Sequence, residues 1–378
     1  MKEQIENEKL RLMVFSSARG LGRRVDEHLL DLYGYEKDKY TFIVPIKEIF
    51  FEDGHLKVEI NETVREKDLF FLTDIGNYNV TYKMHGYTNH ASPNDLMAQL
   101  KDGIGACASH AEKLNVIMPL LYNGRQHRKQ TRENLSCGAM LRELSAMRIH
   151  SFNTFDAHDR GVEHAADLME FNDFPTSNII LKQFIKDVPV EQLRQMVFVA
   201  PDNGATKRRN DYLNSFNSEH IHREAGSFYK LRDYNNLEDG KYRIISHEYS
   251  GNSNLEGKTA IVSDDMISSG GSMFDVIDAL NSRGIAHIYI MVSYCLFTKG
   301  VDKFDEYYKK GLFDGIYTTN LSYIREKFRK KEWLHICDSS LELAEGIFRI
   351  TNGISLSPIL TDKSEPIKLL QMKFKGLD

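Results

Sequence analysis

Short runs that are apolar at nearly every position recur along this chain: Leu12–Phe15, Thr41–Pro45, Leu69–Leu72, Val116–Leu121, Met196–Ala200, Thr259–Val262 and His287–Val292. A strand with one wet face alternates in polarity, whereas a strand covered on both faces does not. Runs rich in Val, Ile and Phe therefore predict the strands of parallel sheets. Helical patterns separate them. Ser92-Pro93-Asn94-Asp95 supplies a capping hydroxyl, a proline for the first turn and an acid, and it predicts a helix continuing from Leu96 to Leu114. Arg132–Met147, Asn203–Leu213 and Gly271–Ser282 read as further helices. Alternating strands and helices place the chain in the α/β class.

The strands form two sets, one ending near Phe155 and the other beginning near Met196. Phe174-Pro175-Thr176-Ser177 suits a joint, because proline disfavours helix in the residue before it. At about 150 residues per domain, a chain of 378 residues divides into two, here 1–174 and 175–378. Asn214–Asn254 is polar and carries Asp-Gly and Gly-Asn turn signals; so long a weakly periodic stretch inside such a domain points to function. Ser339–Leu370 reads as one helix, Leu341–Ile350, followed by a polar tail.

Composition removes several classes. Hydrophobic residues at 41% and charged ones at 27% exclude a disordered chain. Basic side chains number 49 against 54 acidic ones, so the net charge of −5 offers no field for gathering nucleic acid. Cys107, Cys137, Cys295 and Cys337 lie far apart without a CxxC pair, which speaks against a disulfide framework or zinc site and for a reducing compartment. The opening MKEQIENEKLRLMVF has no secretory apolar core, and no run of about 18 apolar residues would span a membrane. The expectation is a soluble cytoplasmic protein without nucleic-acid or membrane partners.

Chemistry concentrates in Thr259–Ser272. An apolar strand ends in Asp264 and Asp265; Ser268, Ser269, Gly270 and Gly271 form a turn; a helix begins near Ser272. Glycines let backbone N–H groups approach a phosphate, and a helix N-terminus favours its charge. The serines add hydroxyl donors. The carboxylates can accept from vicinal hydroxyls or approach a metal. Together they suit a sugar phosphate; a βα turn with an acidic cap is the alternative.

This segment resembles the phosphoribosyl diphosphate loop shared by phosphoribosyltransferases and ribose-phosphate diphosphokinases, with serines where the family pattern has threonines and Ser268 where many members carry an acid. Four further segments resemble the diphosphokinases specifically. Phe51-Glu52-Asp53-Gly54-His55 is similar to a Phe-x-Asp-Gly-Glu element that reaches adenine in a neighbouring subunit, which implies ATP contacts for Phe51 and Asp53. Asn123–Lys129 resembles Tyr-Ala-Arg-Gln-Asp-Arg-Lys and implies the same for Arg125 and Gln126, with His127 replacing an acid. Thr154-Phe155-Asp156-Ala157-His158-Asp159 resembles Asp-Leu-His-Ala, whose histidine approaches ATP-bound Mg²⁺. Ala200–Arg208 resembles Ser-Pro-Asp-Ala-Gly-Gly-Ala-Lys-Arg and makes Asp202 a metal-linked or ribose-contacting acid. Phe228–Tyr234 looks like the family's catalytic flexible loop, with Lys230 and Arg232 as its Lys-x-Arg pair. Relative to the family the chain carries insertions near Tyr78–His90 and Leu296–Tyr308.

The resemblance implies two stacked phosphoribosyltransferase-like domains, each a mainly parallel sheet flanked by helices, with ATP-side elements in the first and the ribose-phosphate loop in the second. It implies transfer of diphosphate from Mg-ATP to the anomeric hydroxyl of ribose 5-phosphate. Asp202, Asp264, Asp265 and Ser268–Ser272 would hold the ribose phosphate, His158 and Asp202 would contact Mg²⁺, and Lys230 and Arg232 would stabilise the transferring group. A dimer-based homo-oligomer, often a hexamer, is implied too. Three alternatives stay open: a larger acceptor such as ADP-ribose, a non-catalytic regulatory paralogue, and a phosphoribosyltransferase using the same loop.

Overall fold

The computed structural model describes residues 9–129, 132–166, 168–216, 224–238, 241–251 and 254–376, with backbone alone for 230–238 and 241–247. It divides into two compact units. The first takes in the chain up to Pro175 together with Asn320–Tyr323 and Asp338–Thr361; the second takes in Thr176–Thr319, Ile324–Cys337 and the chain from Asp362 onward. The two returns to the first unit depart from the simple division into 1–174 and 175–378. Side chains account for both. Ser322 and Tyr323 bond to the buried Asp74. The helix Ser340–Thr351 lies on the helix Arg19–Tyr33, with the Tyr33 and Phe348 rings 4.9 Å apart and Asn352 donating to the Tyr33 hydroxyl at 2.9 Å.

The strands of the first unit are β1 (Leu10–Val14), β2 (Ile46–Phe50), β3 (Leu56–Ile60), β4 (Asp68–Leu72), β5 (Thr81–Met84), β6 (Tyr87–His90), β7 (Lys113–Ile117), β8 (Ser151–Phe155) and β9 (Glu170–Phe174). A parallel sheet runs β1-β4-β7-β8-β9, while β2–β3 and β5–β6 are antiparallel hairpins. Met13, Phe71, Val116 and Phe152 pack with Leu96, Leu100, Ile104 and Leu141 in its core. The helix Pro93–Cys107 begins at a reciprocal cap: Asp95 N–H donates to Ser92 Oγ, and the Asp95 carboxylate accepts from Ser92 N–H.

Two expectations shift here. The helix stops at Cys107 rather than Leu114, because Lys113–Ile117 enters the sheet beside Asp68–Leu72. That strand in turn ends before Pro119, which cannot donate to a ladder. Thr41–Pro45 makes one isolated bridge, Leu12 to Ile43, instead of a strand. Its Thr41 hydroxyl and Phe42 N–H are taken by the Asp26 carboxylate, and Pro45 has no N–H to extend the pairing.

The second unit contributes β10 (Met196–Ala200), β11 (Glu224–Glu238), β12 (Lys241–Gly251), β13 (Thr259–Ile267), β14 (His287–Cys295), β15 (Gly315–Thr319) and β16 (Leu334–Cys337). They form one sheet, β12-β11-β10-β13-β14-β15-β16, parallel except for β11–β12. Within the polar stretch, Glu224–Glu238 and Lys241–Gly251 thus form a long antiparallel pair. The tail is not merely polar either: the helix Ser364–Phe374 buries Leu370 against Ile180, Leu181 and Phe184 of the helix Ser177–Asp187. No helix among the described residues is long and apolar enough to cross a membrane.

Candidate active site

β13 carries the two acids of the phosphate-loop motif inside the strand, which continues past them to Ile267 instead of stopping at Val262. The ladder explains the extension, since Asp264 pairs with Val292 and Met266 with Tyr294. Successive strand residues point to opposite faces, so the two carboxylates do not share one. Asp265 is buried and accepts from Met266 N–H at 2.8 Å. Asp264 keeps a quarter of its side chain exposed and lies 3.9 Å from the Arg208 guanidinium. Burial, then the charge of Asp265, pushes the Asp264 carboxyl well above its usual range; Arg208 pulls it down and Asp202 pushes it further up.

After β13, Ser268 and Ser269 lead into Gly270, which adopts φ +86° as the residue before the helix Gly271–Asn281. A side chain there is doubly opposed: the conformation is left-handed, and a Cβ would lie 2.7 Å from Phe304 Cζ. Phe304 belongs to the helix Asp302–Lys309 and packs with Phe274, Phe297, Phe313 and Trp333. The Ser268 carbonyl accepts from Thr298 N–H, in the turn after β14, at 2.9 Å. Ser269, Gly271 and Ser272 are exposed at the helix N-terminus, where partial positive charge favours an anion.

The neighbouring strand β10 delivers Asp202 into a turn, where its Oδ1 accepts from Gly204 N–H at 2.9 Å. The helix Thr206–Ser215 follows and supplies two residues that the motif reading passed over. Arg208 faces Asp264. Arg209 donates to the Gly226 carbonyl at 2.9 Å and to Ser227 Oγ at 2.7 Å, fixing the base of β11. The Lys207-Arg208 pair inside the matched motif was the available signal for the first; the second needed the strand pairing. Lys230 and Arg232 lie on β11, opposite His247 and Ile244 of β12, and their side chains lie outside the described residues.

In the first unit, the turn after β7 and the turn after β8 come together. Asn123 has φ +54°, Gln126 N–H donates to the Asn123 carbonyl, and Arg125 and Gln126 stand exposed. Beyond them Arg128 donates to Asp159 at 2.7 Å and His127 Nε2 lies 3.3 Å from the same carboxylate. The His127 and His158 rings are 5.3 Å apart. The backbone N–H of Ala157 is held by Asp173, a buried acid pushed up to about 6 by desolvation.

Phe51 and Asp53 occupy the tip of the β2–β3 hairpin. Phe51 is 46% exposed, and the Asp53 carboxylate is held by the His55 ring at 3.1 Å and the His55 N–H. That contact holds Asp53 below the usual carboxylate range. Among the described residues no hydrogen bond or ion pair joins this tip to Arg125 or Gln126.

No group of three or more His, Cys, Asp or Glu side chains gathers to hold a metal ion among the described residues. The donors at the end of β13 and β10 are nevertheless of the right kind. Carboxylate oxygens suit Mg²⁺, which is commonly bound through one or two carboxylates, waters and substrate phosphates.

Known proteins match along the chain. Residues 10–147 match the N-terminal domain of ribose phosphate pyrophosphokinase, and residues 170–322 match the phosphoribosyl transferase domain. A ribose-phosphate pyrophosphokinase of Prochlorococcus marinus is 23% identical over 368 residues, covering 93% of this chain and 94% of that one. One from Fusobacterium nucleatum is 25% identical over 314 residues, 82% of this chain and 88% of its own length. The phosphoribosylpyrophosphate synthetase of Mycobacterium smegmatis superposes with a TM-score of 0.72 at 18% identity, covering 92% of this chain and all of that one.

Proposed function

The chain belongs to the ribose-phosphate pyrophosphokinase family, and from that premise we infer that it transfers the diphosphate of Mg-ATP to the anomeric hydroxyl of ribose 5-phosphate. The anomeric oxygen attacks the β-phosphorus. The bond from that phosphorus to the oxygen it shares with the α-phosphate breaks, and AMP leaves with the electron pair. The products are AMP and 5-phosphoribosyl 1-diphosphate, and the hydroxyl proton is released.

The observation that carries this reading is the end of β13. Within one strand and the turn after it, the chain presents a carboxylate a quarter exposed beside Arg208, a serine- and glycine-rich turn, and an exposed helix N-terminus. In this reading Ser268–Ser272 hold the 5-phosphate. Asp264 accepts from a ribose hydroxyl, and Asp265 fixes the strand backbone that aims it. Asp202 and His158 serve the Mg-ATP side, with Mg²⁺ supplying charge neutralisation on the phosphates. Phe51, Asp53, Arg125 and Gln126 hold the nucleotide. Lys230 and Arg232 spread the charge that builds as the diphosphate moves, since phosphoryl chemistry depends on positioning and electrostatics more than on covalent help. Cytoplasmic location and a homo-oligomer assembled from dimers complete the proposal.

The test is ³¹P NMR of the purified protein with Mg-ATP, run separately with ribose 5-phosphate and with ADP-ribose. AMP and a new anomeric diphosphate from ribose 5-phosphate are expected. The same signals with ADP-ribose alone would keep the chemistry and replace the acceptor; silence with both would remove the enzymatic reading.

A further inference from the structure

The segment between Asp74 and Ser92, which holds the insertion expected near Tyr78–His90, contributes nothing to the site as described so far. Its hairpin, β5–β6, nevertheless meets the β2–β3 hairpin at three separate points. The Phe50 and Tyr82 rings stack with centroids 4.4 Å apart and planes 15° from parallel. His85 N–H donates to the Glu52 carbonyl at 2.8 Å, tip to tip. Met84 Sδ fills the space over Gly54, where a Cβ would lie 2.8 Å from the sulfur and where φ is +90°.

The insertion is itself anchored. Val80 and Tyr82 pack on the core of the first unit beside Ile46 and Ile60. Asn77 donates to the Ser17 carbonyl at 2.6 Å, and His90 Nδ1 bonds the Tyr78 carbonyl at 2.6 Å. The Tyr82 phenol is pushed up first by burial and then by the Asp95 carboxylate, which also caps the helix Pro93–Cys107. Tyr82 therefore stands between a fixed helix start and the strand that leads into Phe51.

An isolated two-stranded ribbon is marginally stable in water. The bonds within the β2–β3 tip are local: Phe51 N–H to the His55 carbonyl, Gly54 N–H to the Phe51 carbonyl, and the Asp53 carboxylate to the His55 ring and N–H. A ligand-binding tip that wanders must be ordered at the moment of binding, and that ordering subtracts from affinity. We propose that the β5–β6 hairpin is a brace that fixes the Phe51–Asp53 tip for nucleotide binding, with Tyr82 as the positioning residue. The proposal rests on the assignment of that tip to ATP. It gives the insertion a task in this chain and predicts that residues remote from the reacting atoms control one substrate only.

The test compares the full-length wild type with Tyr82→Ala and Tyr82→Phe. Amide hydrogen exchange reads the tip directly. Tyr82→Ala should speed exchange across residues 50–56 by about tenfold and leave 10–14 unchanged, as local opening predicts. Steady-state kinetics should show KM for ATP raised about tenfold, with KM for ribose 5-phosphate and kcat near wild type, the pattern of lost ground-state positioning. Tyr82→Phe, which keeps the ring, should restore both. Should Tyr82→Ala fail to fold, Met84→Ser loosens the tip contact at a half-exposed position and carries the same expectations. Unchanged exchange over 50–56 overturns the brace. A matched loss for both substrates, with lower thermal stability, overturns it as well. Because exchange needs no turnover, an inactive wild type would count against the proposed reaction without bearing on the brace.

Discussion

Ser322 Oγ donates a 2.9 Å hydrogen bond to Asp74, 248 residues away in the chain and inside the same compact unit. The same carboxylate accepts from Tyr323 N–H at 2.7 Å and from Gly76 N–H at 2.9 Å. Asp74 is fully buried, and desolvation outweighs these three bonds, so its carboxyl is pushed up to about 6.

A carboxyl raised in the folded state makes the protein less stable as pH climbs from the unfolded value near 4 to the folded one near 6, because the native state then holds more protons than the unfolded one. An amide does not titrate. The stability lost on Asp74→Asn should therefore be largest near pH 4 and shrink by about 3 kcal/mol by pH 8. Urea unfolding of both proteins at the two pH values reads this. A constant difference would show that Asp74 does not titrate in this range.

Arg208 should set the acidic limb of the reaction. Its guanidinium, 3.9 Å away, opposes the burial that raises Asp264. Arg208→Gln should move the acidic limb of kcat/KM to higher pH, since the carboxylate must then ionise without its partner. A limb that stays put would separate Arg208 from Asp264.

Gly270→Ala places a methyl group in a left-handed backbone and against Phe304. The conformational penalty alone is about 1–2 kcal/mol. Turn distortion should raise KM for ribose 5-phosphate more than KM for ATP, because only the phosphate turn is displaced. Phe304→Ala removes the clash but also a buried ring, so the double variant should lose less stability than the sum of the two single losses, and thermal unfolding of all four proteins reads that shortfall.

Lys230→Ala and Arg232→Ala should lower kcat by about a hundredfold or more, with much smaller changes in either KM, as expected of charges that matter most in the transition state. Rapid-quench measurement of AMP formation would separate chemistry from product release. Turnover at the wild-type level would remove these residues from the mechanism.

The central strands were legible because Phe70, Val116, Val199 and Ile261 sit in apolar runs buried on both faces. β8 and β9 were not, and their side chains show why. Ser151 donates to Asn115, Asn153 donates to Ser151, and Asn172 donates to Asn153, while Asn115 reaches the Leu69 carbonyl. All four residues are buried. A polar ladder that satisfies itself can lie inside a sheet at little cost, yet in sequence it reads as loop. Asp264 was legible from its motif, but its separation in facing from Asp265 was not, because the ladder to β14 decides how far the strand runs. Arg209 was invisible for the same kind of reason: its partners on β11 come from a tertiary pairing.

The path of the chain also dictates an order of assembly. The helix Ser340–Thr351 covers the helix Arg19–Tyr33, but it leaves the ribosome some three hundred residues later. During synthesis the older half must wait with Tyr33 and its neighbours uncovered while most of the younger half emerges. Nascent chains of this protein should therefore stay open to chaperones and proteases around Tyr33 until Ser340–Thr351 has emerged.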